Sequence, residues 1–289
     1  MRDERLEGVW HVLAPEIPEI PLVFDSPHSG TEFPTDFRPI APFVDVRRSE
    51  DSFIDEIHGS APGRGAVLLR ALFPRIYIDP NRSAADLDPE QIDGDWPDPL
   101  TPGNKTAIGM GLIWTKASSD ADLYGRKLTV AEVRHRIDTY LNPYQRKLCQ
   151  ELDRIDATFG GVWHVNCHSM PRMTTARGPE GKAGLIRPDF IIGTLDGAAA
   201  GEEFTELTRA TLAGFGYDVR VNENFKGVEL IRMFSDPSAN RHSLQIEINR
   251  GLYMDEQTGW RNDTYETLKG HMNDLIRVLA DYAKAQVAA

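Results

Sequence analysis

Cys149 and Cys167 are the only cysteines in a chain of 289 residues, too few for a disulfide scaffold or a four-cysteine zinc site. No apolar run approaches the roughly 20 residues that a membrane-spanning helix needs. The opening Met1-Arg2-Asp3-Glu4-Arg5-Leu6-Glu7 is charged where a signal peptide would carry an apolar core. A cytoplasmic protein with no membrane partner is therefore expected. Positive charge is in deficit, with 32 Lys and Arg against 44 Asp and Glu and a net charge of −12. Nucleic acid and anionic membranes both demand a clustered positive surface, so neither is expected as a partner. A small anionic substrate is not excluded, because it responds to the local field of a site while salt screens the distant surface. The chain also lacks internal repeats, low-complexity tracts and any HExxH or HxxE motif. A metal site would have to be assembled from distant segments.

Hydrophobic residues make up 40% and charged residues 26% of the chain, ordinary for a soluble globular protein. Strand and helix signals alternate to the end without a flexible linker, which predicts one α/β domain over residues 1–289. Residues 1–20 read as a Pro-containing lead-in without periodicity. Strands are expected over about 21–25, 65–72, 74–79, 160–168, 190–193, 217–221 and 243–248, the second and third joined as a hairpin or as sheet neighbours. Helices are expected over 51–58, with Glu50 and Asp51 in its first turn, and over 202–212. A long helix opens on a Thr129/Glu132 capping box, is divided by Pro143 near Leu141 and closes at Gly160; a terminal helix opens on Asp263/Glu266 and runs to about Ala285. Residues 83–125 are rich in Pro, Gly and Asp, and a loop of that length is expected to wall a site.

The chemistry gathers at strand ends. Gly160-Gly161-Val162-Trp163-His164-Val165-Asn166-Cys167-His168-Ser169-Met170 is an apolar run carrying His164, Asn166 and His168 on alternate positions, hence on one face. Leu22-Val23-Phe24 runs into Asp25-Ser26-Pro27-His28, Arg75 to Ile78 runs into Asp79-Pro80-Asn81-Arg82, and Leu244 to Ile248 contains Glu247. In open α/β sheets, reacting groups collect outside the carboxyl ends of strands. An imidazole buried there is costly unless bonded or coordinated, so His28 and His168 are candidate zinc ligands, whereas His11, His58, His135 and His271 are expected to be satisfied core residues. Catalytic zinc commonly takes two histidines and a carboxylate. Asp25, Glu50, Asp51 and Asp55 are the acids near His28, and spacing does not choose among them. Glu247, a carboxylate in an apolar strand, suits a general base. Arg82, after Asn81, suits capture of a substrate carboxylate, and Lys226 and Arg232 could hold a second anionic group. Cys149 falls in a helical pattern as a small core residue. Cys167 precedes His168 on a strand, so the two point to opposite faces and do not form a thiol–base pair.

Ser26-Pro27-His28-Ser29-Gly30, Asp51 with Asp55, Tyr77-Ile78-Asp79-Pro80-Asn81-Arg82, Cys167-His168-Ser169, Pro188-Asp189-Phe190 with Gly193-Thr194, Asn224-Phe225-Lys226-Gly227 and Gln245-Ile246-Glu247 occur in this order. Together they resemble the N-formylglutamate amidohydrolase (deformylase) family over about residues 21–253. The resemblance implies a phosphorylase/hydrolase-like fold of the zinc carboxypeptidase and aspartoacylase kind, a mixed central sheet flanked by helices. It implies one zinc ion held by His28, Asp51 and His168, Glu247 as general base, Arg82 as carboxylate anchor, and a role in amino-acid catabolism. Many relatives carry Asp two positions before the second histidine, where this chain has Asn166; residues 83–100 also match less closely. The expected activity is cleavage of N-formyl-L-glutamate, or a closely related N-acyl amino acid, to a carboxylic acid and the free amino acid. The alternatives are an amidase or carboxypeptidase-like hydrolase for another N-acyl amino acid or peptide, and a non-catalytic binding protein for acidic metabolites.

Overall fold

The computed structural model describes residues 3–287. Among them, ten strands are formed: β1 (Glu4–Leu6), β2 (Trp10–Leu13), β3 (Leu22–Ser26), β4 (Val67–Ala71), β5 (Ile92–Asp93), β6 (Leu128–Thr129), β7 (Val162–Met170), β8 (Phe190–Gly193), β9 (Val219–Val221) and β10 (Arg241–Asn249). Eight join one mixed sheet in the order β1-β2-β4-β3-β7-β10-β8-β9, while β5 and β6 pair separately. The central strands β4, β3, β7 and β10 are mutually parallel, and β2 and β8 run antiparallel to them on either side. β7 and β10 are buried almost throughout, as the central strands of a sheet covered on both faces must be.

The helices are α1 (Phe43–Arg47), α2 (Ile54–Ile57), α3 (Val130–Arg136), α4 (Asn142–Phe159), α5 (Glu202–Gly214), α6 (Glu229–Phe234) and α7 (Tyr265–Val287). Residues of α3 and α4, among them Val133, Tyr144, Leu148 and Leu152, pack with Val23, Val67 and Leu69 on one face of the sheet. On the other face, residues of α2, α5 and α7 pack with Phe24, Val165, Leu244 and Ile246. α7 buries Leu268, Met272, Leu275, Ile276 and Leu279, spaced by three and four as one helical stripe. Each large apolar side chain so buried contributes about 1.5–3 kcal/mol, so docking rather than helix propensity holds this terminal segment.

Register then decides what the face under α4 carries. Asp25 of β3 pairs with Asn166 of β7, Asn166 with Gln245 of β10, and His168 with Glu247. Side chains directly across paired strands share a face, so these polar groups form one row against the apolar set on the opposite side.

Several sequence expectations are corrected. The lead-in forms the β1–β2 hairpin, with β2 added to β4. Residues 74–79 form turns, not a strand, with Tyr77 N donating to the Pro74 carbonyl; Ile76, Tyr77 and Ile78 are core residues all the same, and their apolarity imitated a buried strand. β4 therefore pairs with β2 and β3 and makes no hairpin with that segment. α2 begins only at Ile54, leaving Glu50 and Asp51 before it. The Thr129/Glu132 capping box is formed. The division near Pro143 is a π-helical turn over Ile137–Leu141, a device that absorbs the missing proline N–H without breaking the rod. At the terminal helix, Asn262 rather than Asp263 accepts from the Thr264 amide. Residues 83–125 are mostly irregular but include 3₁₀ turns at Pro89–Gln91 and Thr106–Ile108. Of the presumed core histidines, His58 is fully buried, His11 and His271 are half-buried, and His135 is exposed. Cys149 is half-buried on α4.

Candidate metal centre

His28 follows β3 in a tight turn. A Cβ at Gly30 would fall 2.2 Å from the Phe73 carbonyl oxygen, so the absence of a side chain there lets the turn lie against residues 72–73. The Asp51 amide donates to the His28 carbonyl at 3.1 Å, and the Ser29 hydroxyl donates to the Asp51 carbonyl at 2.9 Å. Two segments 23 residues apart are thereby stapled together, with His168 delivered by β7.

The result is a closed triangle of donor atoms. His28 Nδ1 and His168 Nδ1 each lie 3.2 Å from Asp51 Oδ2 and 2.9 Å from one another. Donors around a tetrahedral zinc, with bonds of 2.0–2.1 Å, are about 3.3 Å apart. The outer nitrogens fix the tautomers. His28 Nε2 donates to Asp79 Oδ1 at 2.7 Å. His168 Nε2 lies 2.5 Å from Asn166 Oδ1, and that oxygen must accept because Asn166 Nδ2 donates to Asp25 Oδ1 at 2.7 Å. Both Nδ1 atoms consequently turn lone pairs toward a carboxylate oxygen, and three acceptors converging in a buried space call for a cation. The donor set fits a divalent metal.

The surrounding electrostatics agree. Burial opposes ionisation of Asp51, yet the adjoining His168 and His28 imidazoles and the charge of Arg75 hold its carboxyl well below the usual range. Burial and the neighbouring His28 lower His168 to about 4, which favours the neutral imidazole that a metal requires. Asp51 Oδ1 accepts from Arg250 Nη2 at 2.9 Å, leaving Oδ2 for the triangle. Asp79 accepts from Arg75 Nη2 at 2.7 Å through its other oxygen. Glu50, left open by spacing, is instead beside Arg47 at 2.9 Å, while Asp25 is bound to Asn166, His164 and Tyr144 and Asp55 to Arg70.

Glu247 stands next to His168 across the β7–β10 pairing. Gln245 Nε2 donates to its Oε1 at 2.8 Å, and its Oε2 has no partner. Burial, with the charge of Asp51 adding to it, raises this carboxyl to about 8. His28, His168 and Glu247 open onto a cavity of about 590 Å³, walled by residues 105–120, 168–179 and 224–228. Arg82 lines it, with an unpartnered Nε. Asn81 also lines it, but its Oδ1 accepts from the Leu230 amide and its Nδ2 faces Asn166 and His168, so it supports the histidine. Lys226 reaches the cavity wall while paired to Asp196 at 2.8 Å. Arg232 is not brought there; it is an exposed α6 residue paired to Glu229. Cys167 lies in the opposite apolar face, with burial pushing its thiol far above the usual value.

A family model described as N-formylglutamate amidohydrolase matches residues 20–254. The chain belongs to the N-formylglutamate amidohydrolase family. A solved N-formylglutamate amidohydrolase from Ralstonia eutropha JMP134 is 40% identical, with a TM-score of 0.92 over 97% of this chain and 100% of that one. N-formylglutamate deformylases of Pseudomonas aeruginosa and Pseudomonas putida are each 27% identical, over 93% and 90% of this chain and 96% and 92% of their own lengths. All the donor-triangle residues and Glu247 lie within the span that the amidohydrolase family model matches.

Four further groups surround this amidohydrolase centre that the sequence does not single out: Arg75, Asp79, Lys105 and Arg250. Asp79 ended an apolar run and so carried a signal. Arg250 directly follows the Glu247 strand. Lys105 sits in an irregular segment where no periodicity marks it.

Proposed function

We propose that the chain is a metal-dependent amidohydrolase that cleaves N-formyl-L-glutamate to formate and L-glutamate. Family membership supports the reaction. The observation that carries the mechanism is the convergence of three acceptor atoms beside an unpartnered Glu247 oxygen in one cavity. His28, Asp51 and His168 would hold the ion, which we take to be zinc from the two-nitrogen, one-oxygen donor set. When bound, such an ion polarises the acyl carbonyl and acidifies water.

The chain's own groups supply the rest. Glu247 takes a proton from the attacking water as oxygen adds to the formyl carbon, and returns it to the glutamate nitrogen as the C–N bond breaks. Arg82 holds the α-carboxylate, fixing the acyl group over the histidines.

The test is formate release from N-formyl-L-glutamate compared with hydrolysis of N-acetyl-L-glutamate and of dipeptides. A preference for the formyl substrate supports the proposal. Turnover of the others alone would reassign the substrate, and binding of acidic metabolites without any turnover would make the protein a binding protein.

A further inference from the structure

Seven basic side chains line the cavity, and their hydrogen bonds divide them. Arg75 is committed to Asp79, Arg250 to Ser169, Asp51 and the Arg48 carbonyl, and Arg187 to Glu180 and the Pro171 and Met173 carbonyls. Arg177 pairs with Asp120 and the Ile108 carbonyl, and Lys226 with Asp196. Arg82 and Lys105 are left. The nearest acid to Arg82 is Asp79 at 3.9 Å, and Lys105 makes no ion pair or side-chain hydrogen bond with the described residues.

Arg82, whose nearest acid is already bound to Arg75 and His28, and Lys105, which has no ion pair, repel one another in a part-buried cavity and are poorly solvated. Burial and the charges of Arg82 and Arg75 lower the Lys105 ammonium to about 8. The arrangement is nonetheless held in place. Lys105 opens the Thr106–Ile108 turn, whose Thr106 hydroxyl and preceding Gly103 amide both donate to Asp86 Oδ1, and the Lys105 carbonyl accepts from Met110 N at 2.8 Å. The backbone that carries Lys105 at the cavity wall is thereby fixed.

We propose that Lys105 is the receptor for the substrate's second carboxylate, so that Arg82 takes the α-carboxylate and Lys105 selects an acidic side chain over its uncharged analogues. This rests on the hydrolase reading and on Arg82 as the first anchor. It moves the second-anion role from Lys226 and Arg232, whose charges are already matched, to the lysine whose charge is not.

The test compares the metal-loaded wild type with Lys105→Gln and Lys105→Arg. Loss of one charge-assisted hydrogen bond lowers affinity roughly 10- to 100-fold. The ratio of kcat/KM for N-formyl-L-glutamate over N-formyl-L-glutamine should fall by that factor in Lys105→Gln, through KM, and recover in Lys105→Arg. Equal losses on both substrates would mean that Lys105 holds the α-carboxylate or the loop, and would overturn the proposal, as would an unchanged ratio. Calorimetry of L-glutamate and L-glutamine binding runs beside the kinetics. If neither the wild type nor any variant releases formate, wild-type preference for L-glutamate that vanishes in Lys105→Gln would still support Lys105 while refuting the hydrolase reading; no preference would refute both.

Discussion

Asp79 Oδ1 lies 2.7 Å from His28 Nε2, behind the ring and out of the cavity, where it fixes which nitrogen carries the proton. Outer carboxylates of this kind commonly account for 10- to 100-fold in metal affinity. Replacement of Asp79 by Asn should therefore weaken metal binding by about that factor, measured by competition with a chromogenic chelator. Wild-type affinity in the variant would remove Asp79 from the metal centre.

The second histidine is held differently. Asn166 Nδ2 donates to Asp25 Oδ1 at 2.7 Å, and Asp25 also accepts from His164 and Tyr144, all of them buried. Here the carboxylate stands one residue farther from the imidazole, with an amide between. Asn166→Asp would put two buried carboxylates in contact, so one is driven to hold a proton. A carboxyl whose folded pKa exceeds its unfolded value of about 3.9 brings a stability penalty that is absent below that value and grows as pH rises. Urea unfolding should show the variant about 2–4 kcal/mol weaker than wild type at pH 8, with the gap narrowing toward pH 5. A gap independent of pH would contradict this.

Glu247→Gln keeps the hydrogen-bonding shape and removes the proton carrier. The variant should bind metal at wild-type stoichiometry and lose roughly 10²- to 10⁴-fold in kcat. Activity within a few-fold of wild type would assign the proton transfer elsewhere.

His58 caps the C-terminus of α2 and is fully buried; its Nδ1 donates to the Ile54 carbonyl at 2.9 Å and its Nε2 has no partner. Burial lowers it from 6.5 to about 4. Because the folded value is the lower one, its contribution is intact above pH 6.5 and is lost as pH falls toward 4. The loss is on the order of 3 kcal/mol by linkage. His58→Phe should flatten the fall in stability across that window; an unchanged slope in the metal-free proteins would show that other groups carry it.

Alternation in β7 was enough to put His164, Asn166 and His168 on one face, since a strand's period of two is a property of the backbone. Pairing register was not legible, and register is what seats Glu247 beside His168 and Asp25 beside Asn166. Spacing alone leaves four acids open as the ligand, because the tertiary staple from Asp51 N to the His28 carbonyl and the pairing of Glu50 with Arg47 are not written in it. Pairing of surface cations was equally hidden: Arg232 and Glu229 meet because they lie three apart on α6, whereas Lys105 is exposed as unpaired only once the cavity is assembled. The apolar run at 76–78 imitates a strand because burial alone does not distinguish a strand from a buried turn.

The central claim is a metal held by His28, Asp51 and His168 that is needed to release formate from N-formyl-L-glutamate. The most direct measurement is metal content together with formate release on one preparation, before chelation, after it, and after return of zinc. The account predicts one ion per chain, activity lost with it and restored on its return. Formate release that persists in fully metal-free protein would contradict it.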